Sequence, residues 1–230
     1  MSSEPGRALV TGSSSGIGLA VAALLLEQGW DVVGVDLAPP ALEHPCFSPV
    51  TADLLDGEAA ENVARDCGRV DALVHAAGVL RVAPLGKQDP LDAELMWRLH
   101  VDAASRIANV IVPRMADAGS GRVVIIGSRV SRGIAGRSQY AATKAALVAL
   151  TRSWAAEVVA HGVTVNVVSP AATATAMLDD PARQTAAPRV PPMGRLVQPQ
   201  EIAALVAYLL SPDAAAITGQ EIQICGGASL

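Results

Sequence analysis

Short apolar runs alternate along the chain with longer segments in which apolar residues recur every three or four positions. The runs predict seven strands, at residues 7–12, 31–35, 48–52, 70–75, 122–127, 163–168 and 221–224. The periodic segments predict five helices, at residues 17–28, 56–67, 92–118, 138–160 and 200–210. Strands separated by such helices are typical of βαβ units with right-handed crossovers. The pattern therefore predicts an α/β fold, in which a doubly wound parallel sheet lies between two layers of helices.

Three places depart from this regular alternation. Residues 37–47 form a short segment rich in proline, so any helix there is expected to be stunted. Pro113 lies near the end of the long predicted helix and predicts a kink. Residues 171–197 are rich in Pro, Ala and Thr and show no clear period. Loops of this length often act as lids, so we expect this one to contact substrate or cofactor.

Composition narrows the class of protein. A length of 230 residues suits one sizeable core, so we expect a single domain over residues 1–230. The net charge of -5, without a basic run, argues against nucleic acid or an anionic membrane as partner. Cys46, Cys67 and Cys225 are an odd number without metal-like spacing, which indicates free thiols and no metal site. Residues 1–5 do not resemble a signal peptide, and no apolar run approaches the ~18 residues of a membrane span. We expect a cytoplasmic protein.

A glycine-rich turn joins the first predicted strand to the first predicted helix. It runs over residues 11–18 and places glycines at positions 12, 16 and 18. Glycine permits a tight turn and lets backbone N–H groups and the helix N-terminus approach a pyrophosphate. The alternative is an ordinary tight connection, but the strand before the turn and the helix after it favour a dinucleotide site.

Asp36 follows the second predicted strand, 18 residues beyond Gly18. A carboxylate at this point accepts hydrogen bonds from an adenosine ribose and repels a 2′-phosphate. No Arg or Lys lies in the glycine-rich turn or directly after Asp36. These features favour NAD over NADP as cofactor. The alternative is that Asp36 is only a turn residue at the end of a strand.

Tyr140 and Lys144 are four residues apart on a predicted helix, so their side chains project from one face. A nearby ammonium and a positive nicotinamide ring both favour the phenolate form of a tyrosine. Tyr140 is then suited to exchange a proton with an alcohol while hydride is transferred. Ser128 lies a short way upstream and is suited to hold the substrate oxygen. A surface Tyr–Lys pair is the alternative, and the glycine-rich turn argues against it.

Taken in order, these motifs make the chain resemble the short-chain dehydrogenase/reductase family in its single-domain form. Residues 11–18 are similar to the family's TGxxxGIG loop, and Ser128, Tyr140 and Lys144 match its catalytic Ser and YxxxK. Residues 166–170, 194–199 and 219–227 are similar to its later strands and their connections. The resemblance implies a Rossmann-like sheet of about seven strands. It also implies a small alcohol or ketone as substrate and a homo-oligomer, either a tetramer or a dimer.

The resemblance also implies a set of cofactor contacts. By analogy Asp53 lies beside the adenine, Lys144 binds the nicotinamide ribose, and Thr175 contacts the nicotinamide or the phosphates. The full set of expected cofactor-binding residues is Gly12, Ser14, Ser15, Gly16, Ile17, Gly18, Asp36, Asp53, Leu54, Ala76, Ala77, Gly78, Tyr140, Lys144, Pro170, Thr173 and Thr175.

Two histidines depart from the family's pattern. Counting back from Pro113 and Met115, the position of a helix Asn in the family falls on His100. Asn109 cannot replace it, since nine residues at about 100° each lead to the opposite helix face. An imidazole both donates and accepts, so His100 either relays protons or packs against a bend in the helix. His75 stands where the family has Asn, and we expect it to be a structural hydrogen-bonding residue.

The segment between Ser128 and Tyr140 carries Arg129, Arg132 and Arg137. The first interpretation is that all three are solvated surface residues. The alternative hypothesis is that Arg129 or Arg137 binds a carboxylate, sulfonate or phosphate on the substrate, because a guanidinium pairs well with such groups.

The leading functional hypothesis is an NAD-dependent enzyme that interconverts a secondary alcohol and a ketone. One alternative is an NADPH-dependent ketone or 3-oxoacyl reductase, and another is a non-catalytic NAD-binding sensor. Retention of Ser128, Tyr140 and Lys144 argues against the sensor, since a pure binder has no use for an activated phenol. A sugar-nucleotide epimerase or dehydratase usually has a larger C-terminal region, and an enoyl reductase is disfavoured by the short Tyr–Lys spacing.

Overall fold

A computed structural model describes residues 6–178 and 189–230 of the chain. The predicted absence of a signal peptide at residues 1–5 therefore concerns residues outside the described ones. Residues 179–188, the middle of the predicted 171–197 loop, lie outside them as well. On either side of that gap, Thr173 pairs with Val197 in an isolated parallel bridge, and a 3-10 turn spans Ala176–Leu178. No helix of the described ranges is long and apolar enough to cross a membrane.

Seven parallel strands form one sheet across the described residues, as the sequence pattern predicted. They are β1 (Arg7–Thr11), β2 (Asp31–Asp36), β3 (Phe47–Thr51), β4 (Ala72–His75), β5 (Gly121–Ile126), β6 (Val163–Pro170) and β7 (Glu221–Ile224). Their order in the sheet is β3-β2-β1-β4-β5-β6-β7. The order reverses between β1 and β4, and in doubly wound sheets ligands bind in the crevice at such a point.

Helices cover both faces of the sheet, because alternate strand residues point to opposite sides. The helices are α1 (Gly16–Glu27), α2 (Gly57–Asp66), α3 (Pro90–Trp97), α4 (Ala103–Asp117), α5 (Ser138–Val158) and α6 (Pro199–Leu210). Helices α1 and α6 share an apolar cluster with Ala8 and Val10 of β1. Leu9 points the other way and packs in the cluster that contains α2, α4 and α5. Both layers are built mainly from Ala, Val, Leu and Ile.

The long helix predicted over 92–118 is present as helical backbone from Pro90 to Asp117, but it contains a π turn that the sequence did not predict. A π turn spans Arg98–Asp102 between α3 and α4. Pro113 lies inside α4, which continues through it, so the break lies in the π turn rather than at the proline. A π turn inserts an extra residue into a helical turn and is common at functional sites. Within the proline-rich segment, residues 37–46 contain no helix.

Candidate active site

A cavity of about 1010 Å³ opens at the carboxyl ends of the strands and collects nearly all the predicted site residues. The predicted cofactor-binding residues that line it are Gly12, Ser15, Gly16, Ile17, Gly18, Asp36, Asp53, Leu54, Ala76, Ala77, Gly78, Tyr140, Lys144, Pro170, Thr173 and Thr175. The predicted catalytic and substrate residues that line it are Ser128, His100, Arg129 and Arg137. Ser14 is the one predicted residue that does not line the cavity.

The turn between β1 and α1 has a shape that only glycine allows. A Cβ at Gly18 would lie 2.1 Å from the carbonyl oxygen of Gly12, and one at Gly12 would lie 2.9 Å from the amide nitrogen of Ala77. Helix α1 has no side-chain cap on its first turn and no acidic residue there. Its first N–H groups, together with the positive end of the helix dipole, therefore remain available to an anionic diphosphate. The turn fits a dinucleotide.

The Asp36 carboxylate is held at the end of β2 by two backbone amides. The N–H of Ser14 donates to Oδ2 at 2.9 Å, and the N–H of Ala38 donates to Oδ1 at 2.9 Å. The Ser14 hydroxyl donates to the carbonyl of Ala38 at 3.3 Å. Ser14 thus orients the Asp36 carboxylate by a hydrogen bond and does not itself line the cavity. Each Asp36 oxygen keeps lone pairs that can accept further hydrogen bonds from a ribose.

Ser128, Tyr140 and Lys144 meet where β5 and α5 line the cavity. The Ser128 hydroxyl oxygen accepts the N–H of Val130 at 3.2 Å, so its own proton remains available to a ligand oxygen. Lys144 is 5% exposed, and its Nζ donates to the carbonyl of Ile126 at 2.9 Å. The ammonium nitrogen lies 5.8 Å from the centre of the Tyr140 ring. Burial lowers the pKa of Lys144 from 10.5 to about 7.

The two histidines that stand where the family has Asn are both buried, and both are held by hydrogen bonds. His100 lies in the π turn, where its Nε2 accepts the N–H of Val79 at 3.0 Å and its Nδ1 lies 2.9 Å from the hydroxyl of Thr143. His75 Nδ1 lies 3.0 Å from the Thr11 hydroxyl oxygen. Burial, then Lys144, lowers the pKa of His75 to about 3. Asn109 is exposed whereas His100 is buried, in keeping with the opposite helix faces expected from the sequence.

The arginines of the predicted substrate segment differ in their contacts. Arg129 donates from Nη1 to the carbonyl of Ala228 at 2.9 Å, which ties it to the C-terminal tail. Arg137 lines the cavity, and its side chain has no hydrogen-bond or ion-pair partner among residues 6–178 and 189–230. Arg132 is exposed and does not line the cavity.

Sequence reasoning missed several residues of the site. Arg81 and Arg189 also line the cavity, together with apolar side chains such as Val82, Ile134 and Met177. Arg81 lies three residues after Gly78, so its position after β4 could have identified it as a cavity residue. Thr143 lies inside the Tyr–Lys motif and bonds to His100, but its residue type and position gave no sign of this contact.

Comparisons with known proteins find relatives that match this chain over nearly its whole length. A family model described as Enoyl-(Acyl carrier protein) reductase matches residues 12–229. The 3-oxoacyl-(acyl-carrier-protein) reductase FabG of Vibrio cholerae serotype O1 is 35% identical, with 96% of this chain and 96% of that protein covered. The protein of the same name from Thermotoga maritima is 31% identical, covering 95% and 96%. A solved structure titled "short chain dehydrogenase/reductase family protein" superposes with a TM-score of 0.92 at 35% identity, covering 100% of this chain and 99% of that chain.

Proposed function

Because this chain belongs to the short-chain dehydrogenase/reductase family, it is an oxidoreductase that binds a nicotinamide cofactor, and we propose that it uses NAD(H) to interconvert a secondary alcohol and a ketone. The observation that carries the proposal is that Ser128, Tyr140 and Lys144 line the same cavity as the glycine-rich turn and Asp36. Proton-transfer groups and a cradle for a dinucleotide diphosphate therefore share one space.

In the proposed reaction each polar side chain has a separate task. The nicotinamide, when bound, accepts or supplies the hydride. Ser128 donates its hydroxyl proton to the substrate oxygen and holds that oxygen while its charge changes. Tyr140 takes the proton of the alcohol during oxidation and returns it to the ketone oxygen during reduction. Lys144 favours the phenolate of Tyr140 through its positive charge, because the cavity lowers the local dielectric constant.

The preference for NAD rests on the side of the cavity that lies over β2 and β3. Asp36 follows β2 and Asp53 follows β3, so the two acidic side chains that the described residues contribute to the cavity lining lie on that side. The two amides that hold Asp36 keep its carboxylate facing the cavity. A 2′-phosphate placed there would meet negative charge, whereas two ribose hydroxyls would find acceptors.

The cofactor proposal is tested by calorimetric titration of NADH and NADPH into wild type and Asp36→Ala. We expect wild type to prefer NADH at least tenfold, and Asp36→Ala to weaken NADH binding about tenfold, or about 1.4 kcal/mol. Asp213→Ala is the matched control, since Asp213 is exposed and does not line the cavity. Tighter binding of NADPH than of NADH by wild type would refute the assignment.

A second candidate is an NADPH-dependent ketone or 3-oxoacyl reductase. It is favoured by the relatives of 31–36% identity that carry the name 3-oxoacyl-(acyl-carrier-protein) reductase. Reduction of a 3-oxoacyl thioester with NADPH, measured beside oxidation of secondary alcohols with NAD, separates the two candidates. No turnover in either direction, with NADH still bound, would instead favour a non-catalytic NAD-binding sensor.

The charge pattern of the cavity also supports an anionic group on the substrate. Arg81 follows β4, and Arg129 and Arg137 follow β5, so basic side chains gather on the side opposite Asp36 and Asp53. Arg129 already binds the carbonyl of Ala228, and Arg81 pairs with Asp92 at 3.5 Å, which makes Arg137 the better candidate for the anion. A carboxylate, sulfonate or phosphate would suit it.

We also propose that the protein acts in the cytoplasm and assembles as a homotetramer, or else as a homodimer, through its long helices. Light scattering coupled to size-exclusion chromatography measures the number of 23.5 kDa chains in the assembly.

A further inference from the structure

His100 connects three parts of the candidate active site through hydrogen bonds. The residue lies in the π turn between α3 and α4 and is 0% exposed. On one side its Nε2 meets the backbone N–H of Val79, in the segment that follows the cofactor-lining residues 76–78. On the other side its Nδ1 meets the hydroxyl of Thr143 in α5. Thr143 in turn donates to the backbone carbonyl of Tyr140 at 2.9 Å.

The donors in this chain fix where the protons are. The N–H of Val79 can only donate, so Nε2 of His100 must be the unprotonated, accepting nitrogen. A neutral imidazole then carries its proton on Nδ1, which donates to the Thr143 oxygen. The Thr143 hydroxyl proton is directed to the Tyr140 carbonyl. All three hydrogen bonds of this series thus run in one direction, from Val79 to Tyr140, and both ring nitrogens of His100 make a hydrogen bond.

A proton relay needs a ring that gains a proton on one nitrogen and loses one from the other. Protonating Nε2 would place an N–H against the N–H of Val79 and break that bond. The groups that surround the ring also oppose a positive charge. They are His75 from β4 and Lys144 from α5. The ring of Tyr140, also from α5, lies nearly perpendicular to the imidazole, with its centre 5.6 Å away. Burial, then Lys144 and His75, lowers the pKa of His100 well below 6.5.

We propose that His100 is a positioning residue and does not relay protons. As a neutral imidazole with its proton on Nδ1, it acts as a clamp that holds the Tyr140 turn of α5 against the cofactor-lining segment after β4. Gly78 belongs to the same arrangement, because a Cβ there would lie 3.0 Å from Nε2 of His100. The effect of the clamp on turnover rests on the proposed function, whereas the tautomer and contacts of His100 do not.

His75 provides a contrast within the same protein. The Thr11 hydroxyl oxygen accepts the N–H groups of Ala76 and Ala77, each at 3.1 Å, so its own proton is directed to Nδ1 of His75. His75 must therefore carry its proton on Nε2, the opposite tautomer to that of His100. Nε2 of His75 is buried and makes no hydrogen bond to the described residues. The nearby carbonyls of Leu99 and His100 in the π turn favour a higher pKa for His75, but burial and Lys144 outweigh them.

The first test is solid-state NMR of the full-length protein labelled with ¹⁵N-histidine, at several pH values from 5.5 to 9. The signals of His100 are assigned by their loss in His100→Gln. We expect a proton on Nδ1 of His100 and on Nε2 of His75 at every pH. The exposed His161 is the control, because water can reach its ring. A proton on Nε2 of His100, or a second ring proton gained within this range, would overturn the proposal.

The second test separates positioning from relay by kinetics. Thr143→Val removes the acceptor of Nδ1–H, and we expect kcat to fall about tenfold, as the loss of one buried hydrogen-bond partner implies. Thr143→Ser keeps the hydroxyl and should recover most of that loss. In His100→Gln the solvent deuterium isotope effect should match wild type, and added imidazole should not restore kcat. An increased isotope effect with rescue by imidazole would mean that His100 carries protons.

The two tests also keep this inference apart from the proposed function. If the protein turns over no alcohol or ketone, the function fails, and the tautomer of His100 is still decided by NMR. In that case cofactor binding takes the place of turnover. Thr143→Val should weaken NADH binding while Thr143→Ser does not, because the clamp fixes the segment after β4. Equal binding by both variants would overturn the clamp.

Discussion

The buried Lys144 should make the unliganded protein more stable as the pH rises above 7, and Lys144→Met should remove that dependence. The side chain is 5% exposed, and burial lowers its pKa from 10.5 to about 7. In the unfolded chain the same ammonium keeps its proton up to its ordinary pKa of 10.5. Between these two values the unfolded state binds more protons than the folded state, so the free energy of unfolding increases with pH.

The size of the effect follows from the same two pKa values. The full displacement from 10.5 to about 7 corresponds to about 5 kcal/mol of stability that is missing below pH 7. Between the two values the free energy of unfolding changes by about 1.4 kcal/mol per pH unit. From pH 8 to pH 9.5 the wild type should therefore gain about 2 kcal/mol relative to Lys144→Met.

Urea unfolding at pH 7 to 9.5, followed by tryptophan fluorescence, measures this difference. The chain contains three tryptophans to report unfolding. Lys87→Met is the matched control, since Lys87 is exposed and is the only other lysine. Its pH dependence should follow wild type. If wild type and Lys144→Met stay parallel from pH 8 to 9.5, Lys144 keeps its proton while buried, and the argument from burial is wrong.

Two further substitutions test the substrate side and the cofactor side of the cavity. Arg137→Ala should raise KM for an anionic substrate about tenfold or more and leave KM for a neutral analogue nearly unchanged. Arg132→Ala is the surface control. Equal effects of Arg137→Ala on both substrates would rule out an anion contact. Gly18→Ala should abolish detectable NADH binding in calorimetry, because its Cβ would meet the carbonyl of Gly12 at 2.1 Å. Gly29→Ala meets no atom within 4 Å but has a φ of 82°, so it should lower only stability, by about 1–2 kcal/mol.

The sheet could be predicted because its strands are short, apolar and buried on both faces. Runs such as residues 122–127 and 163–168 contain few polar residues, as expected for parallel strands covered by helices. The boundaries shifted by one or two residues, for example at β6, which extends to Pro170. Strand ends depend on pairing with neighbours, and the apolar pattern does not record that pairing.

The π turn could not be predicted from the pattern of residues 92–118. Its five residues, Arg98–Asp102, contain no proline or glycine that would mark a change in the helix. The turn is recognised only by its widened hydrogen bonding, and that depends on what the chain packs against. His100 occupies this turn and is held by Val79 and Thr143, 21 and 43 residues away in sequence. The sequence left two roles open for His100 because neither contact is visible in it.

Long-range contacts also explain why the arginines could not be sorted by sequence. Arg129 and Arg137 have the same chemistry and lie eight residues apart. Arg129 donates to Ala228, 99 residues further along the chain, while Arg137 lines the cavity without such a partner among the described residues. Residue type and spacing therefore identified the candidates, and only the packing of the C-terminal tail distinguished them.

The charges of the cavity couple ligand binding to the state of Lys144. No carboxylate among residues 6–178 and 189–230 pairs with Lys144, and its pKa is lowered by burial alone. An anionic ligand in the cavity supplies the missing negative charge and raises the pKa of Lys144 again. Lys144 then stays positive near Tyr140 above pH 7, where the unliganded protein has lost that charge. The ammonium that favours the phenolate is therefore strongest when the cavity is filled, so proton transfer by Tyr140 is favoured in the liganded state.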